Sequence, residues 1–106
     1  SKRPVMARIA AELSDRVVLT SDNPRSEDPM AILAEMRAGV TAGDADRVFV
    51  NADRREAIRQ AVSMAAPGDA VLVAGKGHET YQEIAGVRHP FDDAAVLKET
   101  LELMHR

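Results

Sequence analysis

Apolar positions recur along the chain with two periods. In "PVMARIAAELS", residues 4–14, Val5, Ile9 and Leu13 fall four apart, which predicts an amphipathic helix with Pro4 in its first turn. "RVVLTS" is a short β-branched run and predicts a buried strand over residues 17–21, with "DNPR" as the loop after it. Asp28 and Pro29 read as an N-cap and first-turn pair. They open a helix through "MAILAEMRA", with Ile32, Leu33 and Met36 on one face and Gly39 as its stop. "TAGDAD" is loop and "RVFVN" a second strand. Asn51 or Asp53 then caps a helix carrying Ile58, Ala61, Val62 and Ala65, which Pro67-Gly68 ends. "DAVLVAG", the most apolar stretch, predicts a third strand, and "GKGHE" a loop at its end. "TYQEIAGVRHPF" alternates around Ala85-Gly86 as a hairpin does. Asp92 caps a last helix with Val96, Leu97, Leu101 and Met104 on one side.

Strands alternating with amphipathic helices predict a three-layer, Rossmann-like α/β domain with a mostly parallel sheet and a terminal hairpin. Such folds usually begin on a strand, and this chain begins on a helix. The expectation is that the sheet lacks its first strand. Met30, Met36, Met64 and Met104 fall at core-like helical positions and read as packing.

Composition narrows the picture. The 106 residues make one domain, and 45% hydrophobic with 3% aromatic residues implies an aliphatic core. A net charge of −3 argues against a general nucleic-acid binder. With no cysteine there is no disulfide framework and no thiolate chemistry. No apolar run has membrane-spanning length, and no signal-peptide core opens the chain. A soluble cytoplasmic domain is expected.

Candidate chemistry sits where strands end, the edge at which open α/β sheets collect ligands. In the first loop Pro24 holds Asn23 extended, Arg25 offers a planar fork for a carboxylate, Asn23 a donor and an acceptor, and Asp22 a negative charge. That set suits a small zwitterion. The same composition also makes a plain capped turn with a solvated arginine. In the second loop Lys76 lies between two glycines, with His78 and Glu79 following. It is not a Walker A loop, and a tight turn with surface charges is the bland alternative. "DADR" and "DRRE" read as a solvated helix start. No spacing suggests a metal site or a catalytic triad.

Taken together, "KRPVMARIAAELSDRVVLTSDNPRSEDPMAILAEM", "AVLVAGKGHETYQEI" and "FDDAAVLKETL" resemble the C-terminal domain of the Mur ligases, over essentially the whole chain. "DNPR" is similar to the loop of those members that select meso-diaminopimelate. The resemblance implies that residues 1–106 are one C-terminal, amino-acid-binding domain of a larger ligase. The UDP-binding and ATPase domains are not matched here. Nor is the strand with a Gly-Asp-Arg-Asp stretch that in the family precedes "KRP" and brings an arginine to the substrate. The implied reaction uses ATP and Mg2+, bound mainly outside this chain, to activate the D-glutamate carboxylate of UDP-MurNAc-L-Ala-D-Glu for attack by the diaminopimelate amine. No catalytic residue is placed on this chain, and the fragment alone is expected to be inactive. By resemblance, Arg25 reads the distal carboxylate, Asn23 partners it beside Pro24, Asp22 and Glu79 meet the ammonium, and the Gly75 backbone closes the pocket. Lys2, Arg3, Lys76 and His78 are placed near nucleotide or phosphate. From the residues alone two rivals stay open. One is a non-catalytic anion- or nucleotide-binding module. The other, a receiver-like domain, is poorly served by a lone Asp22.

Overall fold

Local capping chemistry sets most element boundaries. The computed structural model describes residues 2–21, 27–74, 80–84 and 87–104. Helix α1 (Arg3–Leu13) carries proline in its first turn, where the missing amide costs nothing. It leads into strand β1 (Val17–Leu19). Helix α2 (Pro29–Ala38) is capped by Asp28, whose Oδ1 accepts from the Met30 amide at 3.0 Å. A 3-10 turn (Ala45–Arg47) precedes strand β2 (Val48–Val50). Helix α3 (Arg54–Met64) is capped by Asp53, which accepts from the Glu56 amide at 3.1 Å. Asn51 serves a turn instead, accepting from the Asp53 amide at 3.1 Å. Past α3 the chain turns through Gly68 at φ 92, a left-handed conformation that glycine adopts without steric cost. Strands β3 (Tyr81–Ile84) and β4 (Val87–Pro90) form the expected antiparallel hairpin, with Tyr81 opposite Pro90. Helix α4 (Asp93–Met104) starts after Asp92, whose Oδ1 accepts from the Ala94 amide at 3.0 Å.

β1 and β2 pair in parallel, with Val17 opposite Val48 and Leu19 opposite Val50. One core lies between these strands and the first two helices, built from Ala7, Ala11, Leu19, Leu33 and Val48. A second joins Ile58, Val62 and Val96 of α3 and α4, with Val73, Phe91 and Leu97 packed against it. Side chains alternate across a strand, so Val18 faces away from Leu19, and α3 packs against β1. The layering is that of an α/β domain.

Three expectations need correction. Residues 70–74 form no strand ladder among the described residues, and Leu72 is 89% exposed. Apolar composition marks a segment fit for a sheet, but a strand exists only beside a partner. On α1 the apolar stripe Val5, Ile9 and Leu13 faces solvent, Leu13 at 82% exposure, while Ala7 and Ala11 are buried. Short side chains let α1 approach α2 closely, and that approach decides which face turns inward. Met30, Leu101 and Met104 are likewise exposed, not core.

Gly39 ends α2 as expected, but for another reason. Its φ is −80, so it needs no left-handed freedom. An added Cβ would stand 2.0 Å from the Pro4 carbonyl oxygen, so glycine is required by space. Gly39→Ala should therefore destabilise the fold by about 1–3 kcal/mol, as overpacked sites do. Urea unfolding measures this, and an unchanged midpoint would contradict the close approach of α1 to α2.

Candidate functional site

The parallel pairing of β1 with β2 brings their carboxyl ends to one edge. The ladder runs past the strands: the Asn51 amide donates to Leu19 O at 2.9 Å, and the Ser21 hydroxyl donates to Ala52 O at 2.8 Å. Ser21 Oγ also accepts from Gln82 Nε2 at 3.1 Å, which ties the root of β3 to the end of β1. Ser21 and Gln82 are both buried, so each polar group needs the partner it has.

Arg54 organises this edge. It occupies the first position of α3, and its side chain is only 2% exposed. Nε donates to Asp93 Oδ1 at 2.7 Å and Nη2 to Asp93 Oδ2 at 2.6 Å, a bidentate fork on a carboxylate that is 13% exposed. Nη1 donates to Ser21 O at 3.1 Å, and Nη2 also donates to Ala74 O at 3.2 Å. One guanidinium thus joins the starts of α3 and α4, the end of β1 and the end of the 70–74 segment. Beside it lies a cavity of about 410 Å³, lined by residues that include Ser21, Pro29, Asp53, Arg55, Gln82 and Phe91. A groove of similar size on α4, along Leu97 and Leu101, is apolar and gathers no comparable polar set.

The sequence-predicted residues fall as follows. Asp22, Asn23, Pro24 and Arg25, and Gly75, Lys76, His78 and Glu79, lie outside the described residues. Their immediate neighbours are described. Ser21 and Ala74, the residues before the two loops, meet at Arg54, so the structure brings the roots of both loops to one place. Glu27, just past the first loop, accepts from Arg3 Nη2 at 3.0 Å. Arg3 also reaches Glu35 at 3.3 Å, which links α1, α2 and the exit of the first loop. Lys2 is exposed and precedes α1. Among the described residues no three His, Cys, Asp or Glu side chains converge to hold a metal ion.

Two arginines read from sequence as solvated are structural. Arg47 donates to Ser14 O, Asp15 O and Ala11 O and pairs with Asp44, fastening the end of α1 to the turn before β2. Arg54 is buried. One signal pointed to it: a cation in the first turn of a helix opposes the helix dipole, so its presence there asks for a carboxylate partner.

Residues 1–77 match the family described as "Mur ligase, glutamate ligase domain". The UDP-N-acetylmuramoyl-L-alanyl-D-glutamate–2,6-diaminopimelate ligase of Cytophaga hutchinsonii is 59% identical over 104 residues, 98% of this chain and 21% of that protein. The ligase of the same name from Chlorobaculum tepidum is 61% identical over 98 residues, 92% of this chain and 18% of that protein. A solved structure of a protein with this name superposes with a TM-score of 0.90 at 47% identity, covering 99% of this chain and 21% of that one. The chain spans about a fifth of the length of the curated relatives it matches.

The Arg3 contact carries a pH signature. The hydrogen bond from Arg3, reinforced by its charge, holds the Glu27 carboxyl below its ordinary range. A carboxyl depressed in the folded state stabilises the fold above its unfolded pKa of about 4.3, and that contribution fades as pH falls through the lower folded value. Glu27→Gln should therefore remove a small stabilisation present above about pH 4.5 and flatten the acid limb by the same small amount, since exposed pairs contribute little. Denaturant unfolding at a series of pH values checks this, and an unaltered acid limb would refute it.

Proposed function

Because the chain belongs to the Mur ligase family, we propose that residues 1–106 are the C-terminal, amino-acid-recognising domain of a cytoplasmic, ATP-dependent ligase. That ligase joins meso-diaminopimelate to UDP-MurNAc-L-Ala-D-Glu in peptidoglycan synthesis. The observation that carries this reading is 59% identity over 98% of the chain to a ligase named for that amino acid. The convergence of both loop roots at the sheet edge supports it. The nucleotide- and ATP-binding parts belong to other regions of the full polypeptide, and the fragment alone is inactive.

Meso-diaminopimelate is a lysine with a second carboxylate at its far end, so selection must read that group. Arg25 supplies a planar fork for the carboxylate, stiffened by Pro24, and Asn23 adds a hydrogen bond. Asp22 and Glu79 take the neighbouring ammonium, and the Gly75 backbone closes the site. Lysine would leave Arg25 unpaired in a desolvated pocket, which costs roughly 1–3 kcal/mol or more. The domain's share of catalysis is positioning: it holds the attacking amine at the activated D-glutamate carboxyl. ATP, when bound with Mg2+, supplies the activation of that carboxyl. Lys2, Arg3, Lys76 and His78 are the basic groups this chain would turn towards nucleotide or phosphate. Arg3 would have to exchange Glu27 and Glu35 for that contact.

In the full-length ligase, Arg25→Ala should lower kcat/KM for meso-diaminopimelate by about a hundredfold or more and erode the preference over lysine. Steady-state assays with both amino acids test this, and unchanged turnover at low substrate would refute it.

A further inference from the structure

We propose that Arg54, held by Asp93, is a positioning residue that sets the spacing of both loops of the amino-acid site. The inference rests on the preceding assignment of residues 22–25 and 75–79 to that site. Ser21 O belongs to the peptide bond that enters Asp22, and Ala74 O to the one that enters Gly75. Arg54 donates to both, at 3.1 and 3.2 Å. Each loop therefore starts at an oxygen fixed by the same rigid, planar group. The second loop is also tied near its exit, where buried Gln82 donates to Ser21 Oγ.

The chemistry suits arginine alone. A guanidinium presents donors in several fixed directions, whereas an ammonium is a single point of charge on a flexible stem. Asp93 grips Nε and Nη2 from one side, which fixes the plane and leaves the other edge aimed at the two carbonyls. A plain ion pair between α3 and α4 would require only the Asp93 fork. The two additional bonds go to main-chain oxygens at the roots of the two loops. A pocket that must meet a carboxylate and an ammonium together depends on the distance between its walls, and small misplacement of a positioned group costs rate steeply.

The test uses the full-length ligase with three variants. Arg54→Met combined with Asp93→Leu removes both charges and leaves no unpaired ion in the interior, the replacement that buried pairs tolerate best. Arg54→Lys keeps the charge without the fork, and Asp93→Asn loosens the plane. KM for meso-diaminopimelate should rise about tenfold in the double variant, with KM for ATP and the nucleotide substrate within about twofold of wild type. Arg54→Lys should fall between the double variant and wild type. In Asp93→Asn, amide hydrogen exchange should quicken in residues 22–26 and 75–79 together. A folded double variant with unchanged KM for the amino acid overturns the proposal. So does a proportionate rise in all three KM values, or faster exchange in one loop only. Should the wild-type enzyme prefer another amino acid, the substrate assignment fails separately, and the same variants are read on the KM of the amino acid it does use.

Discussion

A guanidinium removed from water must find acceptors for its N–H groups, and at Arg54 this requirement shapes the edge of the domain where β1 ends. Among the described residues four hydrogen bonds serve it, two on Asp93 and one each on Ser21 O and Ala74 O. Those acceptors come from three parts of the chain that share no sequence neighbourhood with one another or with Arg54. Leaving any one of them unmade would strand buried polarity at a cost comparable to a lost charged hydrogen bond. The charge therefore favours a single arrangement of α3, α4, β1 and the 70–74 segment over looser packings that would bury similar apolar area.

The two apolar clusters do a less specific task. Ala7, Ala11 and Leu33 bring α1 and α2 against the parallel pair, and Ile58, Val62 and Val96 bring α3 and α4 together. Aliphatic burial fixes which layers meet, with little say over the angle at which strand ends face one another. The polar set of Ser21, Gln82, Arg54 and Asp93 supplies that precision, because hydrogen bonds are directional where hydrophobic contact is not.

What could be read from sequence divides along the same line. Caps at Asp28 and Asp92 were legible, and that of α3 was narrowed to Asn51 or Asp53, because a capping side chain acts within a few residues of itself. The hairpin was legible because its strands are adjacent in the chain. The ladder status of residues 70–74 was not, since pairing depends on what stands alongside. The buried face of α1 was misjudged because periodicity marks a stripe and does not say whether large or small residues meet the neighbour. Arg54 escaped notice because its carboxylate lies 39 positions away. Strand-end position and polar composition marked the two loops as candidates, the residue roles came only from resemblance to a known family, and what the structure adds is how the residues before each loop are held.

Arg54 meets the residues just before the two loops through carbonyl oxygens, which every amino acid carries. Its grip is therefore blind to which side chains the loops display. Such a frame lets evolution, or an engineer, exchange side chains beyond these two residues without rebuilding the frame itself. Substitutions beyond Ser21 and Ala74 leave unchanged the acceptors that Arg54 uses.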